Sequence, residues 1–160
     1  MTSTQTKTEP LSNNAKKKTA EERKQESLQS ALWALDAALE KKALEPVLLD
    51  VGKLCSYTEY ILLLSGKSDR QVDAIAETVK LELKKHGRMP MGTEGVSSGQ
   101  WALLDYADIV VHVFVHPARE RYDLEGLWID AEKVKIDVPD DARIDVEDSY
   151  GSSFSSNTDS

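Results

Sequence analysis

Three acidic residues, Asp50, Asp105 and Asp108, are the first candidates for chemistry in this chain. Carboxylates of this kind hold the two metal ions of nucleotidyl-transfer enzymes, which lie about 3.5–4 Å apart. The rest of that signature, a Gly-Ser pair that opens a helix and an Asp-x-Asp on the next strand, is missing from the sequence. Asp105 and Asp108 also flank a short connection between two apolar runs, so we expect these two acids to form a turn and not a metal site.

The segment Gly66-Lys67-Ser68 has the composition of a phosphate-binding loop, which would bring nucleotide chemistry. The full motif needs a Gly five residues before this Gly-Lys-Ser, and Ile61 stands there. Residues Ser68–Gln71 instead have the pattern of a capping box, in which the first hydroxyl and the last amide side chain satisfy backbone groups at the start of a helix. We therefore expect a plain strand-to-helix turn, which could at most hold a single anion.

Two histidines, His112 and His116, stand four residues apart. On a helix this spacing would suit zinc, but on a strand it separates the two side chains by about 13 Å, so we expect no shared metal. We expect one buried, hydrogen-bonded histidine and one at the surface. Cys55 is the only cysteine, and the Gly-rich segment 88–99 lacks the G-x-G-x-x-G pattern. The residues therefore predict no catalysis, no metal and no cofactor.

The elements that must position these residues predict a small single α/β domain with a mixed β-sheet flanked by helices. Apolar residues at helical spacing mark helices over 26–42 and 118–134, and a capped helix follows Ser68 and ends before Gly87. Near-continuous apolar runs at 47–51 and 57–64 predict strands that are buried on both faces. With an edge strand near Met91 and a hairpin beyond it, the predicted order is α-β-β-α-β-β-β-α.

The hairpin, over about residues 101–116, is the best-specified part of the chain. Two apolar, β-branched runs lie on either side of the short connection Asp105–Asp108. Because side chains alternate along a strand, Trp101 and Asp105 point to one face while Ala102 and Tyr106 point to the other. A strand with Trp, Leu and Tyr beside a Gly-rich loop has the composition of an interface hot spot, although burial of Trp101 in the core is equally open.

The net charge of the chain is −8, and its uneven distribution divides the chain into three parts. Residues 1–25 hold six basic and three acidic groups, and residues 135–160 hold two basic and seven acidic groups. Both ends are polar and lack an apolar period, so we expect a disordered basic head (1–25), an α/β domain (26–134) and a disordered acidic tail (135–160).

The acidic domain suits a basic protein partner better than nucleic acid, since phosphate binding needs clustered Lys and Arg. The basic head could still contact RNA, but a solvated segment is favoured. No apolar run approaches the ~20 residues that cross a bilayer, so we expect no membrane partner. A cytoplasmic location is expected, and import into an organelle is less favoured because the head carries acidic residues.

Several separate blocks of the sequence resemble the ribosomal silencing factors, also called the Iojap family. The resemblance covers about residues 26–134, and its blocks occur in the family's order. The matching positions are Asp50, Tyr60, 65–76, Glu94-Gly95, 101–114 and 121–128.

This resemblance implies a domain related in fold to nucleotidyltransferases but without their catalytic acids, and therefore no enzyme. It also implies binding to the large ribosomal subunit, through the ribosomal protein numbered fourteen on the subunit-joining face. Such proteins block docking of the small subunit and lower translation when nutrients are scarce, and homodimers occur in the family. Carried over by position, the partner-binding residues are Trp101, Leu103, Leu104, Asp105 and Tyr106, with Glu94, Arg70 and Tyr122 as neighbours.

Two departures from the family pattern carry structural expectations. Ala107 stands where we expect Gly, so the hairpin turn should differ, and Gly126 replaces a longer residue, which should soften the last helix. Two other functions remain open. One is a nucleotidyltransferase-like enzyme that uses residues 65–68 with Asp105 and Asp108, and the other is a scaffold for assembly of the large subunit.

Overall fold

A six-stranded mixed β-sheet forms the centre of the structure, a computed structural model that describes residues 17–95 and 99–144. The strands, numbered along the chain, are β1 (Leu44–Asp50), β2 (Tyr60–Gly66), β3 (Gly92–Gly95), β4 (Trp101–Asp105), β5 (Ile109–Val115) and β6 (Glu132–Lys133). The helices are α1 (Ala20–Glu40), α2 (Asp69–Lys85), α3 (His116–Tyr122) and α4 (Leu124–Leu127), and a 3-10 turn covers Asp140–Ala142.

The strand order across the sheet is β3-β4-β5-β2-β1-β6. Strands β2 and β5 run parallel, and the other neighbouring pairs of this sheet run antiparallel. The predicted hairpin is confirmed as β4 and β5, and the predicted fold class, a small α/β domain with a mixed sheet, is also confirmed. Within residues 17–95 and 99–144, no helix has the length and apolar character needed to cross a membrane.

Helices α1 and α2 cover one face of the sheet, which we call the helical face. Apolar side chains at helical spacing point from both helices onto β2, β4 and β5, where the main core lies. Burial of such a stripe, at roughly 25 cal/mol per Å² of apolar surface, is the main force that holds helix to sheet. The fully buried contributors include Ala34, Ala38, Val72, Ile75, Val79, Leu83, Leu62, Leu64 and Val113.

The opposite face of the sheet, which we call the C-terminal face, is covered by α3, α4 and the segment that follows them. Leu49, Ile61, Leu63 and Phe114 form its buried centre, and Ala118 of α3 packs against them. Because both faces are covered, every residue of β2 is buried. This explains why the sequence from Tyr60 to Leu64 lacks the polar alternation of a half-exposed strand.

Helix α1 begins earlier than the sequence analysis predicted, at Ala20 and not at about residue 26. The cause is a capping box that the sequence analysis did not predict, in which Glu22 N donates to Thr19 Oγ1 at 3.1 Å and Thr19 N donates to Glu22 Oε2 at 3.3 Å. Residues 20–25 of the predicted basic head are therefore helical. The remaining predictions for the head and the acidic tail, over 1–16 and 145–160, lie outside the described residues.

The single helix predicted over 118–134 is wrong, because the chain divides there into α3, α4 and β6. The break lies at Asp123, whose φ of 47° is left-handed. Its carboxylate accepts a hydrogen bond from Gly126 N at 3.0 Å and so caps α4. A Cβ on Gly126 would overlap that carboxylate, so Gly126 allows a close approach and does not soften a continuous helix. The predicted boundary at residue 134 is also too early, since Ile136 packs on the core and Ala142 is buried.

Candidate partner-binding surface

A cluster of aromatic rings lies on the C-terminal face around Trp101, the first residue of β4. The Trp101 ring is half-buried, with its centroid 5.0 Å from the Phe114 ring of β5 and 4.8 Å from the Tyr122 ring of α3. Tyr122 itself remains 44% exposed. The strand pairing sets this arrangement, because Trp101 stands directly opposite Phe114 in the register of β4 and β5. The cluster therefore presents a partly exposed aromatic edge that is supported from below.

His112 of β5 lies beneath this cluster and accepts a hydrogen bond from it. Trp101 Nε1 donates to His112 Nδ1 at 3.1 Å, and the histidine is buried with 8% of its surface exposed. Burial lowers the pKa of His112 to about 4, so the ring is neutral at the pH of a cell. The prediction of one buried, hydrogen-bonded histidine is confirmed. His116 is half-buried and not fully at the surface, since its ring contacts Ser65 Oγ at 3.1 Å.

The residues beside Trp101 on the same face form an acidic and apolar strip. Glu94 of β3 stands opposite Leu103 of β4, and Leu103 stands opposite His112. Glu94 is exposed, while Leu103 and Asp105 are half-buried. The sequence prediction that Trp101 and Asp105 share one face agrees with this register, and Leu103 lies between them on that face. We call the set Trp101, Leu103, Asp105, Glu94 and Tyr122 the Trp101 surface.

Arg121 borders the Trp101 surface, whereas Arg70 lies at the start of α2. Arg121 Nη2 donates to Gln100 Oε1 at 2.9 Å, and the Arg121 guanidinium lies 5.6 Å from the centroid of the Tyr122 ring. A guanidinium within about 6 Å of a ring face is attracted by the ring's quadrupole, which favours this position for Tyr122. Arg70 is exposed in the first turn of α2, next to Asp69, and a Cβ built on Gly99 would lie 2.8 Å from Asp69 Cβ. The start of β4 therefore lies close to the helix that carries Arg70.

Two of the residues carried over as partner contacts, Leu104 and Tyr106, point to the helical face. Leu104 is 2% exposed and Tyr106 is 3% exposed, and both belong to the core beneath α1 and α2. Burial raises the pKa of Tyr106 to about 12, against the opposing charge of Arg88. Their side chains cannot contact a partner while the domain is folded. The alternation of side chains along β4 predicts this opposite orientation. The assignment of Leu104 and Tyr106 as partner contacts is therefore wrong.

The three acids that were the first candidates for metal binding each accept hydrogen bonds from a different donor. Asp50 Oδ1 accepts from Lys24 Nζ at 2.9 Å, and Asp105 Oδ1 accepts from Ala107 N at 2.8 Å within the hairpin turn. Asp108 accepts from Arg88 Nη1 at 3.1 Å. The turn-forming role expected of Asp105 is confirmed, and Asp108 instead ties the hairpin to the end of α2.

The segment Gly66-Lys67-Ser68 forms the strand-to-helix turn that the sequence predicted. Gln71 N donates to Ser68 Oγ at 3.2 Å, and Lys67 N donates to Gln71 Oε1 at 2.6 Å. The amide of Gln71 also donates to the carbonyls of Lys41 and Lys42, at 3.1 Å and 3.0 Å. The helix cap therefore joins the end of α1 to the start of α2. The predicted capping box forms only in its Ser68 half, because the Gln71 side chain accepts from Lys67 N and not from Ser68 N.

Arg119 of α3 is a buried residue that sequence reasoning missed. It is 5% exposed, and its guanidinium donates to Glu125 Oε1 at 3.0 Å, to Ser65 Oγ at 3.0 Å and to the Glu45 carbonyl. These bonds fasten α3 to β1, β2 and α4, and so set the position of Tyr122 at the end of α3. The sequence carried one weak signal, since Arg119 follows Ala118 directly on the buried side of the helix.

Comparisons with known proteins identify the family of this chain. Residues 24–159 match the family model described as "Ribosomal silencing factor during starvation". The chain is 40% identical over 95 residues to the ribosomal silencing factor of Chromobacterium violaceum, which covers 59% of this chain and 78% of that protein. It is 33% identical over 75 residues to the mouse protein named "Mitochondrial assembly of ribosomal large subunit protein 1", covering 45% of this chain and 33% of the mouse protein.

The fold agrees with that family. The crystal structure of a Chromobacterium violaceum protein superposes with a TM-score of 0.62 at 36% identity, over 70% of this chain and 92% of the other. The family model spans most of the chain, including the whole sheet and the residues of the Trp101 surface. This chain therefore belongs to the ribosomal silencing factors, a family of regulatory proteins that are not enzymes.

Proposed function

We propose that this protein binds the joining face of the large ribosomal subunit, through the ribosomal protein numbered fourteen, and excludes the small subunit. Translation would then fall when nutrients are scarce. Family membership supports a silencing role at the ribosome. The particular partner protein and the steric block are what the family resemblance implies. The free protein would form homodimers and would act in the cytoplasm.

The observation that carries the proposal is the Trp101 surface. It combines a half-buried Trp, a half-buried Leu and a 44% exposed Tyr, and the Trp and Tyr rings lie against the buried ring of Phe114. Trp and Tyr in such settings are the residues that most often dominate binding energy at protein interfaces. Their rings are held by β4, β5 and α3, so little side-chain freedom remains to be lost on binding.

Charge supports a basic partner. The chain carries a net charge of −8, and Glu94 and Asp105 lie on the Trp101 surface itself. An acidic surface speeds encounter with a basic protein, whereas burial of the apolar residues holds the complex together. Arg121 at the border and Arg70 in the first turn of α2 are exposed and can pair with acidic groups of the partner.

The test is subunit joining in vitro, followed by gradient sedimentation. Purified protein should co-sediment with large subunits and reduce the amount of joined ribosomes, and Trp101→Ala should weaken binding by about 2 kcal/mol or more. Leu81→Ala is the matched control, because Leu81 is an apolar residue of α2 that is 59% exposed and lies on the opposite side of the sheet. Unimpaired binding by a folded Trp101→Ala variant would remove the Trp101 surface from the proposal.

A second candidate function is assembly of the large subunit. The name of the mouse relative, which refers to assembly of the ribosomal large subunit, favours it. Gradient profiles of cells that contain tagged protein distinguish the two functions. A silencing protein should accompany mature large subunits, whereas an assembly protein should accompany their precursors. The nucleotidyltransferase alternative finds no support, since Asp50, Asp105 and Asp108 bond to different partners.

The basic head is proposed to contact ribosomal RNA when the domain is bound. Residues 1–16 carry more lysines than acidic residues, which suits contact with phosphates. A variant that begins at residue 17 keeps the Thr19 capping box of α1 and should therefore fold. Its affinity for large subunits should depend less steeply on salt than that of the full chain.

A further inference from the structure

We propose that His112 is a positioning residue for partner binding, because it holds the indole of Trp101 in the orientation that the partner contacts. This inference rests on the proposed function of the Trp101 surface. His112 does not reach the partner itself, since it lies on β5 beside β4 and is only 8% exposed. It acts through the hydrogen bond that Trp101 Nε1 donates to its Nδ1, beside a tilted ring contact with centroids 5.7 Å apart.

The ring contacts of Trp101 leave the indole free to turn over within its plane, and the hydrogen bond to His112 removes this freedom. Phe114 stacks on the indole with an interplanar angle of 26°, and Tyr122 packs against it at 43°. Such contacts fix the plane of the indole, but they are compatible with a rotation that exchanges its two edges. The indole has a single N–H donor. Its bond to His112 selects the rotamer in which the N–H points at His112 Nδ1.

A purely space-filling role would not require histidine at this position. The strand neighbours Val111 and Val113 are apolar and fully buried, and Leu63 of β2 stands directly opposite His112. Burial of an imidazole is unfavourable unless a hydrogen bond compensates it, and Trp101 supplies that bond. The neutral ring that burial favours is also the form whose Nδ1 can accept.

Two substitutions of His112 distinguish a positioning role from a packing role. One should weaken binding without a loss of stability, and the other should lower stability with little effect on binding. His112→Leu fills the site with an apolar side chain and removes the acceptor. It should be at least as stable to urea as the wild type, yet bind large subunits about threefold to tenfold more weakly, since the indole must then be ordered on binding. His112→Asn places an amide oxygen close to the position of Nδ1. It should be less stable, yet bind within about twofold of the wild type.

The indole N–H resonance of Trp101 reports on the bond directly. The chain contains three tryptophans, so its NMR spectrum should show three indole signals, and Trp101→Phe assigns the one that belongs to Trp101. In His112→Leu this signal should move upfield and its hydrogen should exchange with solvent faster. In His112→Asn it should stay near its original position. An unchanged Trp101 signal in His112→Leu would overturn the inference.

Binding measurements on the wild type and His112→Leu distinguish failure of the positioning role from failure of the proposed function. If the wild type binds large subunits and His112→Leu binds equally well, the positioning role is wrong while the proposed function stands. If the wild type itself does not bind large subunits, the proposed function fails and this inference fails with it. The expected result is a loss confined to His112→Leu that is not accompanied by a loss of stability.

Discussion

The guanidinium of Arg88 donates to the carboxylate of Asp108, with Arg88 Nη1 3.1 Å from Asp108 Oδ2, and this pair joins the end of α2 to the β4–β5 hairpin. Ser27 of α1 donates to the same carboxylate at 2.6 Å. One side chain of the hairpin therefore bonds to residues at both helices of the helical face. The hairpin that carries the Trp101 surface is held by this carboxylate as well as by the strand ladder.

The charge of Asp108 should make stability fall in acid. Burial alone would raise the pKa of Asp108, but hydrogen bonds from Arg88 and Ser27 outweigh it and hold the pKa below its usual value. A carboxyl with a lowered folded-state pKa stabilises the fold above its unfolded pKa, about 3.9, and that contribution is lost as the pH falls through the folded value. Urea unfolding of the wild type should weaken more steeply below about pH 4 than that of Asp108→Asn. Equal slopes for the two proteins would contradict the role of this pair.

Ala107→Gly should stabilise the protein. Ala107 has a φ of 72°, a left-handed conformation that disfavours any residue with a Cβ by about 1–2 kcal/mol, and the family resemblance had led us to expect Gly there. Part of that gain is offset by the extra freedom of Gly in the unfolded chain, so the expected increase in unfolding free energy is about 0.5–1 kcal/mol. The control is Ala74→Gly within α2, which should destabilise by about 1 kcal/mol. A loss of stability in Ala107→Gly would show that the turn differs from the one described.

Gly126→Ala tests the break between α3 and α4 by the sign of its effect. In a continuous helix, as the sequence predicted, Ala would stabilise by about 1 kcal/mol. In the structure the new Cβ would overlap the Asp123 carboxylate that caps α4, so the substitution should destabilise by about 1 kcal/mol. Thermal or urea unfolding measures the difference. Stabilisation would support the continuous helix and contradict the described break.

Arg119→Met should be among the most damaging single substitutions in the domain. It removes the partner of Glu125 and leaves Ser65 and the Glu45 carbonyl without their buried donor. Because Glu125 is partly exposed, the main cost comes from the buried acceptors that lose their donor, about 1–3 kcal/mol. Arg121→Met, on the same helix but exposed, should change stability by no more than about 0.5 kcal/mol. Similar unfolding curves for the two variants would mean that the Arg119 bonds contribute little.

Leu103→Ala and Leu104→Ala, adjacent on β4, should separate binding from stability. Leu103 is half-buried on the Trp101 surface, so its truncation should weaken binding to large subunits by about 1–2 kcal/mol with a smaller effect on unfolding. Leu104 is 2% exposed on the helical face, so its truncation should cost about 2–4 kcal/mol of stability while the folded fraction binds normally. The measurement is co-sedimentation corrected for the folded fraction. Equal binding losses at both positions would argue against different roles for the two faces of β4.

The amino-acid sequence by itself determined the elements whose signals are local. Two apolar runs with a short connection predicted the β4–β5 hairpin, and alternation of side chains predicted its two faces. The Ser68 cap predicted the start of α2, and the continuous apolar run predicted that β2 is buried on both sides. These patterns repeat over a few residues and depend on backbone geometry alone. The blocks that resemble the ribosomal silencing factors were equally visible, because they are stretches of contiguous residues.

Tertiary structure alone decided features that depend on residues far apart in the chain. Glu132 and Lys133 form a strand because they pair with Asp50 and Leu49, although the apolar spacing of the residues before them predicted a continuous helix. Tyr106 entered the core because α1 and α2 cover that face, and His112 became an acceptor because Trp101 lies over it in the neighbouring strand. Such contacts join residues that are far apart in the sequence, and the local spacing of apolar residues carries no information about them. Their outcome depends on which surfaces and polar groups meet when the sheet and helices pack.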